Sequence, residues 1–135
     1  MADKSIKLDI VTPERIVYSQ DVDFIVAPGS EGQLGVLPGH AALITSLDIG
    51  ILKIKTGEKE EELAISGGFF EVKDNKAVVL AETAERAEDI DVTRAMKAKE
   101  RAEQRLAAKV ADMDLLRAEA ALKRAMTRLK VADKR

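Results

Sequence analysis

The first part of the chain shows the alternation of apolar and polar residues that is typical of β-strands. Ile6, Leu8 and Ile10 occupy every second position, and the pattern returns over residues 22–26, with Val22, Phe24 and Val26. Strands with one buried face have this side-chain period of two. The same pattern predicts further strands around Ile49, Ile51 or Leu52, and Ile54, at Leu63 and Ile65, at Phe70 and Val72, and over residues 77–81.

Turn signals separate the predicted strands at regular intervals. Residues 12–14 (Thr-Pro-Glu) follow the first strand, Thr-Gly at 56–57 ends a later one, and Gly-Gly at 67–68 follows another. Asp-Asn at 74–75 is typical of a two-residue hairpin turn. Short strands at even spacing, with no helix between them, indicate an antiparallel sandwich rather than a parallel sheet.

Beyond residue 90 the apolar spacing changes to three and four residues, which predicts helix. Asp91 is a candidate N-cap, and Ile90 precedes it in the position of a hydrophobic staple. The first stripe, interrupted by Lys99, consists of Val92, Ala95, Ala102, Leu106 and Val110. The second stripe, a heptad seam, consists of Leu115, Ala118, Leu122, Ala125, Leu129 and Ala132. Because neither thin, alanine-rich face would stabilise a helix alone, we predict that the two helices form a hairpin.

The predicted turn between the helices, residues 111–114, contains neither glycine nor proline. Asp114 can cap a second helix, yet every residue of the turn tolerates a helical conformation. One continuous helix from Asp91 to the C-terminus, about 65 Å long, is therefore also compatible with the sequence. A switch between these two arrangements and a static hairpin are both open at this point.

Composition divides the chain at the same place. All eight glycines and all three prolines lie at or before Gly68, and residues 91–135 hold 11 of the 20 alanines. Residues 1–90 contain 9 Lys+Arg and 17 Asp+Glu, net −8, whereas residues 91–135 contain 13 and 7, net +6. We predict an α+β protein, with an N-terminal antiparallel β-sandwich over residues 1–88 and a C-terminal two-helix hairpin over residues 89–135.

Composition also disfavours most catalytic sites. The chain has no cysteine, which excludes disulfides, thiol nucleophiles and Cys-ligated zinc. Its one histidine, His40, cannot form a His-pair metal site, and we interpret it as a structural loop residue. The four glycines of residues 29–39 lack the lysine and following helix of a P-loop, so we interpret them as turns. A binding protein is favoured over an enzyme.

Arginines are spaced along one face of each predicted helix. They lie seven and four residues apart in both helices, as Arg94, Arg101 and Arg105 and as Arg117, Arg124 and Arg128. Closing the hairpin brings guanidinium groups together near the electropositive N-terminus at Asp91. Such groups repel one another, and a polyphosphate would reverse the sign of that interaction. The alternative is that these arginines are solvated and paired with Glu100, Glu103 or Glu119.

Five segments together resemble the epsilon subunit family of bacterial rotary ATP synthases. They are VTPERIVY (11–18), GQLGVLPGHAAL (32–43), SGGFFEV (66–72), AERAEDIDVTRA (84–95) and LKRAMTRL (122–129). The resemblance implies a ten-stranded sandwich that binds the gamma subunit and the c ring as part of the rotor stalk. It also implies two C-terminal helices that either fold down as a hairpin or extend toward the alpha and beta subunits and inhibit ATP hydrolysis. The basic hairpin would suit an acidic segment of the beta subunit.

Some bacilli-like members of this family bind ATP in the folded hairpin through a short motif. The motif has Ile or Leu, Asp, two variable residues, Arg and Ala, and it stands complete at residues 90–95. By matching positions, the resemblance implies an ATP site that consists of Glu85, Ile90, Asp91, Arg94, Ala95, Arg101, Arg124 and Arg128. Carboxylates there can accept from the adenine amino group or the ribose hydroxyls, and arginines can bind phosphates. ATP is then a regulatory ligand, with or without Mg²⁺, for which the sequence shows no evident site.

Several other expectations follow. Many relatives are acidic at the position of Gln33, so a charged contact with the c ring through residues 31–35 is not expected. One tyrosine, three phenylalanines and no tryptophan leave little for nucleic-acid bases to stack on.

The sequence shows neither a secretory leader nor a membrane-spanning stretch, and the resemblance implies a peripheral position on the cytoplasmic face of the cell membrane. The alternative function is an assembly and coupling module of the same complex without nucleotide sensing.

Overall fold

The computed structural model describes residues 4–108 and 114–133, and within them the chain confirms the predicted α+β class. Eight strands come first: β1 (Ile6–Val11), β2 (Ile16–Val22), β3 (Phe24–Gly29), β4 (Gly32–Val36), β5 (Leu43–Thr56), β6 (Lys59–Lys73), β7 (Lys76–Ala81) and β8 (Ala84–Arg86). A short 3₁₀ turn at Ala87–Asp89 then leads into the helices α1 (Val92–Ala108) and α2 (Leu115–Ala132). Strands therefore precede helices, with almost no mixing of the two.

The strands form one hydrogen-bonded sheet that folds over on itself into two layers. The order is β2-β1-β7-β6-β5-β3-β4, and β8 pairs with β6 beside this path. The bend lies in β5 and β6, whose mutual register skips Asp48 and Gly67. Residues 68–73 of β6 pair with β7, whereas residues 63–65 pair with β8. Each long strand therefore contributes one half to each layer, and counting the halves separately yields the ten strands that the resemblance implies.

The long strands correct the prediction at their glycines. The pair Gly67-Gly68 lies inside β6 and does not end a strand. Likewise β5 begins at Leu43, well before the predicted segment around Ile49. The sequence left open whether Ile51 or Leu52 points into the sandwich core. Leu52 does and is fully buried there, whereas Ile51 lies on the opposite face of β5, half-buried beneath the helices. Both strands keep a buried face along their length, so a glycine within them bends the strand without ending it.

Three strands, β2, β4 and β8, were not predicted. Residues 22–26 are not one strand, because β2 ends at Val22 and β3 begins at Phe24. Residues 31–35, expected to be a loop with Gln33, form a turn and most of β4. Gly29 and Gly32 pair with each other on either side of that turn, whereas the interpretation of Gly35 as a turn is wrong because Gly35 lies inside β4. Gly39 does lie in a turn, next to His40. Each misread segment is rich in polar residues or glycine, which hides the alternation.

The pairing pattern is antiparallel with one exception. The predicted hairpin at 74–75 is confirmed, because Asp74 and Asn75 have φ angles of 51° and 58°, as a type I′ turn requires. However, β1 pairs with β7 in parallel. This pair joins strands that are far apart in sequence, and no local pattern indicates it.

The apolar core of the sandwich lies wholly within residues 6–84. Phe70 is its largest fully buried side chain, and the predicted inward positions Ile6, Leu8 and Ile10 are all buried with it. No helical residue belongs to this cluster among those that the structure describes. The sandwich therefore has a core that is independent of the helices.

The helical hairpin is held by small side chains. The buried residues of α1 are Ala95 and Ala102, and Ala118 and Ala125 are buried in α2. Both predicted caps are confirmed, since Asp91 accepts from the Arg94 N–H at 3.0 Å and Asp114 from the Arg117 N–H at 3.1 Å. Apart from Asp114, the predicted turn at 111–114 lies outside the described residues, as does Val110 of the first stripe.

The hairpin lies on the sandwich through α2, whose main strand neighbours are β5 and β6. A small apolar contact between the two parts, the docking cluster, consists of Ala64, Ile90, Val131 and Ala132, with Ile51 and Ala87 packed against it. The main packing partner of α1, in contrast, is α2. Within the described ranges, neither helix is long and apolar enough to cross a membrane.

Candidate functional site

A cleft of about 610 Å³ lies where the sandwich meets the hairpin. Its walls come from the β1–β2 turn, β8 with the residues that flank it, the first turns of α1, and the second half of α2. It is lined by Thr12, Glu14, Arg15, Val17, Glu82, Thr83, Ala84, Glu85, Asp89, Asp91, Arg94, Ala95, Ala98, Arg101 and Arg128. Residues that are more than 100 positions apart in sequence therefore share one cavity.

The cleft holds an ion pair between two of the predicted ligands. The Nε of Arg128 on α2 donates to Oε1 of Glu85 on β8 at 2.5 Å, and both side chains are roughly three-quarters buried. Partial burial reduces solvent screening and strengthens such a charge-assisted bond relative to an exposed one. In this structure Glu85 thus neutralises Arg128 and ties α2 to the sandwich.

The first turns of α1 present a carboxylate and two free guanidinium groups to the same cleft. Asp91 caps the helix through its Oδ1, and Arg94 and Arg101 extend from the exposed side. Neither arginine forms an ion pair within residues 4–108 and 114–133. The helix N-terminus adds partial positive charge at this end of the cleft.

The structure brings together six of the eight predicted residues, namely Glu85, Asp91, Arg94, Ala95, Arg101 and Arg128. Ile90 belongs to the docking cluster instead, where it is 4% exposed. Arg124 lies on α2 outside the cleft lining. The alternative pairs with Glu100, Glu103 or Glu119 do not occur in the part of the chain that the structure describes.

Sequence reasoning missed the sandwich side of the cleft. Thr12, Glu14 and Arg15 from the β1–β2 turn line it, and so does Val17 of β2. Arg86 fixes this wall, because its Nη2 donates to the Val17 carbonyl at 3.2 Å and its Cζ lies 5.1 Å from the centroid of the Tyr18 ring. The turn at 12–14 was visible in the sequence, but its position beside the hairpin depends on tertiary structure.

The polar groups of the cleft suit a ligand that has both anionic groups and hydrogen-bond donors. The four arginines can donate to phosphate or carboxylate oxygens, and the five carboxylates can accept from amino and hydroxyl groups. Across the described residues, no group of three or more His, Asp or Glu side chains is arranged to hold a metal ion. A phosphorylated molecule with amino or hydroxyl donors fits this description.

A second ion pair attaches α2 to the sandwich on another side. The Nζ of Lys123 lies 2.8 Å from Oδ2 of Asp48, at the position where β5 is irregular, and each side chain is 51% exposed. The N–H of Ile49 also donates to Asp48, at 2.8 Å. These two hydrogen bonds, that from Lys123 first, lower the pKa of the Asp48 carboxyl below its ordinary value of 3.8.

Removal of Lys123 should therefore raise the pKa of Asp48. A lowered pKa means that the pair stabilises the docked hairpin at neutral pH, and that this contribution is lost as the pH falls below 3.8 through the lowered pKa. In Lys123→Ala we expect the pKa to move toward 3.8, while the Ile49 N–H keeps it slightly lower. Carboxyl chemical shifts in an NMR titration measure this change. The pKa of Asp9, lowered chiefly by the Ser19 hydroxyl, serves as the control and should stay unchanged.

Two family profiles cover nearly the whole chain. One, described as "ATP synthase, Delta/Epsilon chain, beta-sandwich domain", matches residues 5–87. The other, described as "ATP synthase, Delta/Epsilon chain, long alpha-helix domain", matches residues 88–133.

Individual proteins agree with these profiles. The ATP synthase epsilon chain of Desulforamulus reducens is 55% identical over 130 residues, which are 96% of this chain and 98% of the relative. That of Carboxydothermus hydrogenoformans is 64% identical over 107 residues, 79% of each chain. A chain in the mitochondrial ATP synthase of Euglena gracilis, solved as an OSCP/F1/c-ring assembly, superposes with a TM-score of 0.82 at 27% identity and covers 98% of this chain and 83% of its own.

Proposed function

The chain belongs to the ATP synthase delta/epsilon chain family, and from that premise we propose that it is a rotor-stalk subunit with an ATP-responsive hairpin. The sandwich binds the gamma subunit and the c ring, and the helices regulate ATP hydrolysis by the alpha and beta subunits. The subunit itself is not catalytic, and it sits peripherally on the cytoplasmic face of the membrane as part of the complex. Full-length similarity to epsilon chains supports the assembly, and the cleft supports the regulation.

One observation carries the nucleotide-sensing role. The cleft gathers Arg94 and Arg101 from α1, Arg128 from α2, and Glu85 from the sandwich. A ligand in this cleft would therefore contact α1, α2 and the sandwich, and the folded hairpin is defined by how these three parts are arranged. A ligand that binds only this arrangement stabilises it, by about 2.7 kcal/mol at a hundredfold excess over its dissociation constant.

Arg94→Ala should weaken ATP binding at least tenfold, because it removes a charge-assisted hydrogen bond to phosphate worth roughly 1.5–3 kcal/mol. Calorimetric titration of ATP into the two proteins at matched salt measures the difference. Arg105→Ala is the matched control, since Arg105 is exposed on the same helix and lies outside the cleft lining. Equal binding by the two variants, or no binding by the wild type at millimolar ATP, would exclude the nucleotide site.

A chain that ends at Glu88 should fold and bind the gamma subunit, but it should not inhibit ATP hydrolysis. It retains the whole sandwich core and loses only the hairpin, so we expect a cooperative melt and retained gamma binding. In a reconstituted complex, ATP hydrolysis should be faster with this chain than with the full-length subunit. A molten product would contradict an independent sandwich, and unchanged hydrolysis would leave the hairpin without a regulatory role.

The ion pair between Glu85 and Arg128 favours a second candidate function. It fastens the hairpin to the sandwich through side chains of the protein itself, as an assembly and coupling module would require. In that case the hairpin stays docked whether or not ATP is present. The Arg94 titration separates the two functions, since only the sensor binds ATP.

A further inference from the structure

The β1–β2 turn supplies an arginine to the cleft from the side of the sandwich. Arg15 lines the same cavity as Arg94 and Arg101, although it lies in the other domain and about 80 residues earlier in the chain. Its side chain is exposed, so no packing role in the core accounts for it.

The backbone holds this turn in one conformation. The Thr12 N–H donates to the Arg15 carbonyl at 2.9 Å, and the Arg15 N–H donates to the Thr12 hydroxyl oxygen at 3.3 Å. Pro13, the second residue of the turn, has a φ angle that its ring restricts. Because the turn is braced in this way, the backbone of Arg15 loses little entropy when its side chain binds a ligand.

Charge pairing separates the arginines of this region into two groups. Arg128 pairs with Glu85, and Arg86 lies near Glu61 at 3.9 Å. Arg15, Arg94 and Arg101 form no ion pair within the described ranges of the chain. Three guanidinium groups without partners, on two domains, thus line one cavity. A polyanion between them would satisfy their hydrogen-bond donors, which the described carboxylates of the same cleft leave without an ion pair.

We propose that Arg15 binds the polyphosphate of the nucleotide, so that the ligand joins α1 directly to the sandwich. This inference rests on the proposed ATP site and adds a contact from outside the helical region. Among the described residues α1 packs mainly on α2, and α2 provides the main helical attachment to the strands. A nucleotide bound by Arg15 on one side and by Arg94 and Arg101 on the other would connect α1 to the sandwich directly.

The test is a calorimetric titration of Arg15→Gln with ATP and with inorganic tripolyphosphate at matched ionic strength. The loss of one charge-assisted contact should weaken ATP binding about tenfold. Tripolyphosphate, which carries the phosphates alone, should lose affinity by a similar factor. Arg117→Gln is the control, because Arg117 is an exposed arginine of α2 outside the cleft lining. Thermal melts of both variants should match the wild type.

The outcomes are distinguishable. If Arg94→Ala loses ATP and Arg15→Gln binds it like the wild type, this inference is overturned and the nucleotide site stands. If Arg117→Gln weakens binding as much as Arg15→Gln, the effect is general electrostatics and the proposed contact is overturned. If the wild type binds neither ATP nor tripolyphosphate, both the inference and the ATP site are overturned.

Discussion

Replacing Gly68 with alanine is expected to destabilise the sandwich by about 4 kcal/mol, which is a large share of the roughly 5–15 kcal/mol by which a typical domain is stable. Gly68 lies in β6 with a φ angle of +144°, a conformation that side chains rarely adopt. A Cβ atom there would overlap the carbonyl oxygen of Leu80 and lie 2.9 Å from the Ala81 Cα. Both obstacles are backbone atoms of the paired strand β7, so neither can move without disrupting the pairing.

Urea denaturation of Gly68→Ala measures this loss, and Gly57→Ala is its matched control. Gly57 also has a positive φ, of +63°, but a Cβ there meets no atom within 4 Å. Only the backbone conformation opposes the substitution, and the expected cost is about 1 kcal/mol. If the two variants lost similar stability, backbone overlap at the bend would not be the reason for the glycine.

Val131→Asp is expected to detach the hairpin from the sandwich without unfolding the sandwich. Val131 is fully buried in the docking cluster. An unpaired carboxylate there costs several kcal/mol, more than so small an apolar contact contributes. Because the sandwich core is separate, the hairpin separates from it and the carboxylate reaches water. The ion pair between Glu85 of the sandwich and Arg128 of α2 would then break.

Amide hydrogen exchange checks this expectation, with faster exchange in α2 and unchanged protection in β5 and β7. Binding of ATP should be lost, and hydrolysis in a reconstituted complex should be inhibited more strongly than with the wild type, because the hairpin is free to extend. Leu116→Asp is the control, since Leu116 lies on the same helix and is 78% exposed. Unchanged protection of α2 in Val131→Asp would contradict the importance of the docking cluster.

The helices could be predicted from sequence more fully than the sandwich. Asp91 and Asp114 cap α1 and α2 as expected, because capping and helical periodicity are local properties. The strands depend on partners that are distant in sequence. The sequence indicates a strand end at Gly67 because the role of this glycine in the bend depends on β5 beside it. The parallel pair of β1 and β7 has no local signature.

The candidate site divides in the same way. The spacing of the arginines predicts only that some of them converge once a hairpin is assumed. The family resemblance selects Arg94, Arg101 and Arg128 from the two stripes and adds Glu85. Arg15 was missed because a turn in the first domain gives no sign of what lies across from it. The sequence does not predict the pairing of Glu85 with Arg128 either. The resemblance assigns Glu85 to the ligand, and the alternative pairs the arginines with glutamates of the helices.

The alanines between α1 and α2 determine which conditions can open the hairpin. Alanine has no side-chain rotamers to lose, so closing this interface costs almost no side-chain entropy and opening it regains almost none. A rise in temperature therefore gains little side-chain entropy from opening the interface between α1 and α2. Two ion pairs also attach the hairpin to the sandwich, one partly buried and one half exposed. Dissolved ions screen the half-exposed pair of Lys123 and Asp48 more than the partly buried pair, so higher ionic strength should weaken the attachment of the hairpin mainly at Asp48.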